Sequence, residues 1–140
     1  MPHRFLPDVA LADIAFEATS DSASGLFEAC ALALTDIMVD PETLKSASTN
    51  ELTLSSDDME RLLYDFLTEL IVLKDVDSLL FKGVSVKLSP SGSALTATLR
   101  GEPIDRVRHA LRNDVKAVTM HMFGITETSG EWKATIVLDI

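Results

Sequence analysis

Apolar residues recur at helical spacing in the middle of the chain. Between residues 59 and 73 they return every three or four positions, and the positions between them are polar. This pattern predicts a helix with one buried face. We expect Ser55 to cap this helix, with the acidic pair Asp57 and Asp58 at its positive N-terminal end.

An earlier segment, residues 23–38, predicts a helix of a different kind. Its apolar side chains lie on nearly every side and it carries few charges. A helix with this composition is expected to be buried against a sheet. Polar residues at 19–22 supply N-cap candidates, and Asp40-Pro41 is a stop signal.

Alternating apolar and polar positions predict the strands, with Ser, Pro and Gly clusters marking the turns between them. The order of elements argues for a single α+β domain, residues 1–140, with two main helices packed on mostly antiparallel β-sheet. Residues 1–9 are expected to form an entry segment and residues 102–114 a charged connector. The predicted strands are residues 10–18, 51–54, 79–88, 93–101, 115–123 and 131–140.

Charge narrows the function. The chain has 22 acidic and 12 basic residues, a net charge of −10. Nucleic-acid binders need a basic surface, so strong direct binding of RNA or DNA is not expected, and a cation or a basic protein fits better. The single cysteine, Cys30, leaves no internal disulfide and favours an intracellular, cytoplasmic protein. No apolar run predicts a membrane span or a secretory signal.

No catalytic signature is present, so we expect a protein that is not an enzyme. The glycines are scattered and form no phosphate-binding loop. His3, His109 and His121 lie far apart in sequence, without the spacing of a zinc site. Cys30, on the buried helix, is interpreted as a small apolar residue.

Candidate metal ligands lie at the two ends of the chain. Asp13 stands in a predicted strand, where Asp is disfavoured. It is either an outward-facing charge at a strand end or a partner of Asp139 and of the Ile140 carboxylate. Three such carboxylates would offer hard oxygen ligands, suited to calcium, magnesium or manganese. Lys116 likewise is either a solvated lysine or a fixed cation near this cluster.

Short stretches spread over the whole chain resemble the archease family, in both order and length. Most specific are Lys116-Ala117-Val118-Thr119-Met120-His121 and the terminal Asp139-Ile140. The other stretches are Ala12-Asp13-Ile14, Leu26-Phe27-Glu28-Ala29, Leu62-Leu63-Tyr64-Asp65-Phe66-Leu67 with Leu70, Gly101-Glu102 and Trp132-Lys133-Ala134.

The resemblance implies a non-enzymatic protein cofactor. Archeases activate the GTP-dependent RtcB-type RNA ligase of tRNA splicing and RNA repair, by promoting guanylylation of the ligase histidine and repeated turnover. The family's metal ligands, calcium first and magnesium or manganese as alternatives, fall on Asp13, Asp139 and Ile140. Its motif lysine falls on Lys116, which implies a contact with the partner's nucleotide pocket.

Two alternatives and one departure accompany this resemblance. An older proposal makes archeases chaperones or adaptors for a tRNA methyltransferase. An independent metal-dependent hydrolase is disfavoured, because no base or nucleophile accompanies the carboxylates. Many archeases have His and Thr where this chain has Ala10 and Leu11, which puts the strength of metal or partner binding in question.

Overall fold

The structure, a computed structural model, describes residues 3–6 and 13–140. Within these residues the chain forms two α-helices, a short 3-10 helix and eight strands. The helices are α1 (Ala23–Met38) and α2 (Met59–Asp77), and the 3-10 helix is Pro41–Thr43. The strands are β1 (His3–Leu6), β2 (Asp13–Ser20), β3 (Ser48–Ser55), β4 (Leu79–Leu88), β5 (Ala94–Pro103), β6 (Ala117–Val118), β7 (Gly124–Thr128) and β8 (Glu131–Asp139).

The strands form two sheets, and every pair of neighbouring strands is antiparallel. The first sheet has the order β1-β2-β8-β6, with β7 also paired to β8. The second has the order β3-β5-β4. The predicted α+β class, with two helices on mostly antiparallel sheet, is confirmed. Neither helix has the length and hydropathy needed to cross a membrane.

Helix α1 packs against both sheets, through β2 and β8 on one side and β4 on the other. This position explains why its apolar residues lie on nearly every side. The prediction of a buried helix at these residues is confirmed, and its cap is Ser22, whose hydroxyl accepts from the Gly25 N–H at 3.0 Å. Two further contacts fix β4 to α1: the Thr35 hydroxyl donates to the Phe81 carbonyl, and the Glu28 carboxylate accepts from the Val86 N–H.

Helix α2 begins and ends later than predicted. Ser55 is the last residue of β3 and pairs with Ala94, so it is extended and caps nothing. The cap is Asp58, which accepts from the Arg61 N–H at 2.8 Å. At the other end the helix continues to Asp77, beyond the predicted end near residue 73.

The predicted strand at residues 115–123 is wrong. Only Ala117–Val118 is a strand there, and the chain then leaves the sheet before Gly124–Thr128 pairs with β8. The break coincides with Met122, whose φ of 55° is incompatible with an extended strand. The 128–130 turn therefore joins β7, not the 115–123 segment, to β8.

Sequence reasoning was incomplete at the start of the chain. The entry segment contains a strand, His3–Leu6, that pairs with β2. The part of the predicted strand at residues 10–12 lies outside the described residues, and β2 continues beyond the prediction to Ser20. Strand β3 also exceeds its prediction at both ends, because its pairing with β5 adds residues that carry no local signal.

Candidate functional site

Two carboxylates meet at one edge of the first sheet. In the antiparallel pairing of β2 with β8, Asp13 lies directly opposite Asp139. Side chains of directly opposed residues lie on the same face of a sheet, with Cβ atoms about 5 Å apart. Ile140 follows Asp139 immediately and is half-buried against the core. We call Asp13, Asp139 and Ile140 the acidic edge.

Lys116 reaches the same place from the other side of β8. Its N–H donates to the carbonyl of Asp139 at 2.8 Å, and the next residue, Ala117, is the β6 partner of Asp139. Its side chain is exposed and makes no ion pair within the part of the chain that the structure describes. The fold thus brings Asp13, Asp139, Ile140 and the main chain of Lys116 together.

The donor set of the acidic edge fits a hard cation. Like charges on directly opposed strand residues destabilise a sheet, and a cation between them removes that repulsion. The side chains available are oxygen donors, which suits calcium, magnesium or manganese and not zinc. Across residues 3–6 and 13–140, no three His, Cys, Asp or Glu side chains gather with metal-ligand spacing. An ion at this edge would therefore be held by two aspartates and by the carboxylate of Ile140.

A buried lysine anchors the segment that carries Lys116. Lys74 of α2 is only 8% exposed, and its Nζ donates to the Val115 carbonyl and to the Asp114 carboxylate. The Lys74 ammonium holds the pKa of Asp114 below its usual range. We had placed Lys74 after the helix, in a linker. The signal that could have found it is a lysine one turn beyond Leu70 on the apolar face, where an unpaired charge would be costly.

A second anchor lies at the start of the connector, on the buried carboxylate of Glu102. Its Oε2 accepts from the Lys45 N–H at 2.6 Å, from Arg108 Nη1 at 2.9 Å and from His109 Nε2 at 2.8 Å. Because His109 Nδ1 accepts from the Asp105 N–H, its proton is on Nε2. This network fixes the path of residues 102–109, and sequence reasoning missed it because its members come from distant segments.

We expect Glu102→Gln to weaken the dependence of stability on acid. The Arg108 hydrogen bond, with that of His109, holds the pKa of Glu102 well below its ordinary value of 4.5. A carboxyl with a depressed folded-state pKa stabilises the fold fully above its unfolded value, and this contribution is lost as pH falls below it. Urea midpoints should thus be lower for Glu102→Gln than for wild type at neutral pH, and the two should converge towards about pH 3.

The matched control for that experiment is Glu42→Gln, which removes an equally sized carboxylate from an exposed position. It should leave the pH profile as in wild type. Parallel curves for wild type and Glu102→Gln would show that the Glu102 network contributes no acid-sensitive stability.

The remaining sequence candidates lie away from the acidic edge or are buried. His109 belongs to the Glu102 network, and the side chain of His3 lies 3.7 Å from Asp36. His121 is exposed, which differs from our interpretation of a partly buried residue. Cys30 is fully buried, and burial raises the pKa of its thiol far above the usual range, which leaves no nucleophile there.

The fold and the acidic edge together define a class of small α+β proteins. In this class two antiparallel sheets enclose a buried helix, and one sheet edge presents facing carboxylates. The chain belongs to the archease protein family (MTH1598/TM1083), whose family model matches residues 4–140. The resemblance inferred from the sequence is confirmed.

Relatives match this chain over nearly its whole length. Protein archease of Pyrococcus abyssi is 36% identical over 132 residues, which is 92% of this chain and 93% of that one. Protein archease of Methanothermobacter thermautotrophicus is 37% identical, with the same coverage. The solution structure of protein 1598 of Methanobacterium thermoautotrophicum has a TM-score of 0.82 at 34% identity and covers 99% of both chains.

A more distant crystal structure shares the fold. It is an archease, described as a possible chaperone, from Thermotoga maritima, with a TM-score of 0.65 and 20% identity over 96% of each chain. At this identity the comparison supports the architecture alone.

Proposed function

We propose that this chain is a non-enzymatic protein cofactor that activates a GTP-dependent RtcB-type RNA ligase in tRNA splicing and RNA repair. Its role would be to promote guanylylation of the ligase and repeated turnover. The observation that carries the proposal is the register that sets Asp13 opposite Asp139, beside the main chain of Lys116. Membership of the archease family supports the same function.

The acidic edge suits work on a partner's nucleotide better than catalysis of its own. Its two aspartates and the Ile140 carboxylate would hold a divalent cation, with calcium the first choice and magnesium or manganese the alternatives. Such a cation supplies positive charge that binds phosphate oxygens. Because few protein groups contribute ligands, coordination positions remain for oxygens that a partner brings.

Lys116 adds a fixed positive charge at the same edge. Its backbone is held by Asp139, and the preceding Val115 is held by the buried Lys74. A lysine on an anchored segment can reach a phosphate without ordering its main chain at the moment of binding. We propose that Lys116 contacts the nucleotide in the ligase pocket, next to the cation held by the acidic edge.

The alternative is a chaperone or adaptor for a tRNA-modifying methyltransferase. It is favoured by the description of the Thermotoga maritima relative as a possible chaperone. A chaperone would suppress aggregation of its partner, and this effect would not depend on the carboxylates of Asp13 and Asp139.

Extending the chain by a few glycines after Ile140 tests the proposal. We expect wild type to stimulate multiple-turnover ligation by the ligase with GTP and manganese, and the extended chain to lose most of this effect. The extension replaces the charged carboxylate by a neutral peptide group, which is a weaker metal ligand. The control carries the same glycines before Met1.

The results separate the candidates. Stimulation by wild type and by both extended chains would contradict a role for the Ile140 carboxylate. No stimulation by any of the three, together with protection of the methyltransferase from aggregation, would favour the chaperone function.

A further inference from the structure

The loop between β6 and β7 presents two methionines to solvent. Met120 is 60% exposed and Met122 is 52% exposed. Leucines, phenylalanines and isoleucines of the described chain lie mostly in the core or against it. We call residues 119–123 the methionine loop. Two neighbouring exposed thioethers are unlike the single exposed apolar residues that any surface carries.

The loop holds these side chains outward on a fixed base. Met122 has a φ of 55°, a left-handed conformation that is costly for a residue other than glycine. The Phe123 N–H closes a turn on the Met120 carbonyl at 3.3 Å. The Phe123 ring packs edge to face on Tyr64 at 5.7 Å, and Arg61 lies over that Tyr64 ring at 5.0 Å.

Helix α2 fixes the far end of the loop as well. The Glu60 carboxylate accepts from the Ile125 N–H at 2.9 Å, at the start of β7. Both ends of the loop are therefore anchored, one by pairing with β8 and the other by α2. A backbone anchored in this way loses little conformational entropy when its side chains are covered.

The methionine loop lies on the same strand edge as the acidic edge. The Thr119 N–H donates to the Val137 carbonyl, two residues along β8 from Asp139. At strand spacing this separates the start of the loop from Asp139 by roughly 7 Å. A protein interface of ordinary size, about 800 Å² on each partner, would cover both.

We infer that the methionine loop is the apolar part of the surface that docks on the partner ligase. Its counterpart would be an apolar hollow in the ligase surface, rimmed by Lys or Arg side chains that face the acidic edge. Charge complementarity sets the sign of that rim, because Asp13 and Asp139 lie beside the loop in a chain of net charge −10. Flexible, polarisable thioethers suit the filling of such a hollow.

This inference rests on the proposed function and assigns the loop a separate part in it. The acidic edge acts on the nucleotide, so its loss should lower the maximal stimulation of the ligase. The methionine loop contributes to docking, so its loss should change the concentration needed and leave the maximal stimulation unchanged.

The test compares Met120→Ser/Met122→Ser with Val76→Ser/Val107→Ser. The control removes two apolar side chains that are 74% and 98% exposed elsewhere on the surface. We expect the methionine variant to need about ten times more protein for half-maximal ligase stimulation, as for central apolar anchors of an interface. Titration of labelled protein with ligase and no RNA should show the same loss of affinity, and the control should match wild type.

Thermal unfolding of every variant keeps the test interpretable. Met122→Gly removes one methionine and suits a φ of 55° better, so it provides a variant whose folding is not impaired. It should also weaken docking.

Three results would overturn the inference. If the methionine variants saturate the ligase at the wild-type concentration, the loop is not a docking surface and the proposed function stands. If wild type neither binds nor stimulates the ligase, the proposed function fails and this inference with it. If wild type dimerises and the methionine variants do not, the loop contacts a second copy of this chain.

Discussion

Asp13→Asn/Asp139→Asn is expected to abolish stimulation of the ligase without harming the fold. Asparagine keeps the size of each side chain and removes its charge, so the hard anionic donors that a divalent cation needs are lost. We expect at least a tenfold loss of maximal stimulation, since about tenfold is the lower bound even for residues that only support a metal ligand. Multiple-turnover ligation at saturating protein measures it.

Stability should move in the opposite direction. Asp13 and Asp139 face each other across β2 and β8, and facing like charges destabilise a sheet. In the absence of metal the double variant should therefore unfold at the same temperature as wild type or a higher one. Added calcium should raise the unfolding temperature of wild type only, because a ligand stabilises the state that binds it.

The control for this prediction is Asp21→Asn/Asp57→Asn. It removes the same total charge from two exposed positions, one of them just beyond the opposite end of β2. Its stimulation of the ligase and its response to calcium should equal those of wild type. If the Asp13/Asp139 variant also stimulated normally, a cation held at the acidic edge could not be part of the activation.

Gly101→Ala is expected to have the largest effect on folding. A Cβ at this position would lie 1.8 Å from the Leu80 carbonyl oxygen and 2.7 Å from the Phe81 Cα. Both are backbone atoms of β4, so no side chain can turn away, and strands β4 and β5 must separate at this point. The adjacent Glu102, which anchors the connector, would move with them.

We expect a loss of about 4 kcal/mol or more, which approaches the whole stability of many domains. Gly83→Ala is the matched control, because its Cβ would meet the Arg100 Cβ at 3.4 Å, close to an ordinary contact. It should change stability by about 1 kcal/mol at most. Urea unfolding of both variants measures the difference, and equal losses would show that the close approach at Gly101 is not what constrains the sheet.

Local pattern was sufficient where a segment's surroundings are uniform along its length. The 23–38 helix, with its cap at Ser22, follows from apolar spacing and a single hydroxyl. The strand at 79–88 was equally predictable, because alternation of side chains along it reflects one buried and one exposed face.

Local pattern failed where a distant partner decides the conformation. Residues 119–123 have the composition of a strand, but β8 pairs instead with β7 at that level, and the chain turns at Met122. Ser55 has the chemistry of a cap, yet its pairing with Ala94 keeps it extended. In both cases hydrogen bonds to a remote strand override a short-range preference.

The sequence by itself determined the α+β class, both helices, the family and the choice of Asp13, Asp139 and Ile140 as candidate ligands. Only the tertiary structure decided that Asp13 faces Asp139, because strand order and register depend on pairing between the two ends of the chain. The same holds for the buried anchors at Lys74 and Glu102 and for the exposure of the methionine loop. A buried charge is stable only beside partners that the fold brings from elsewhere, and no local stretch of sequence specifies those partners.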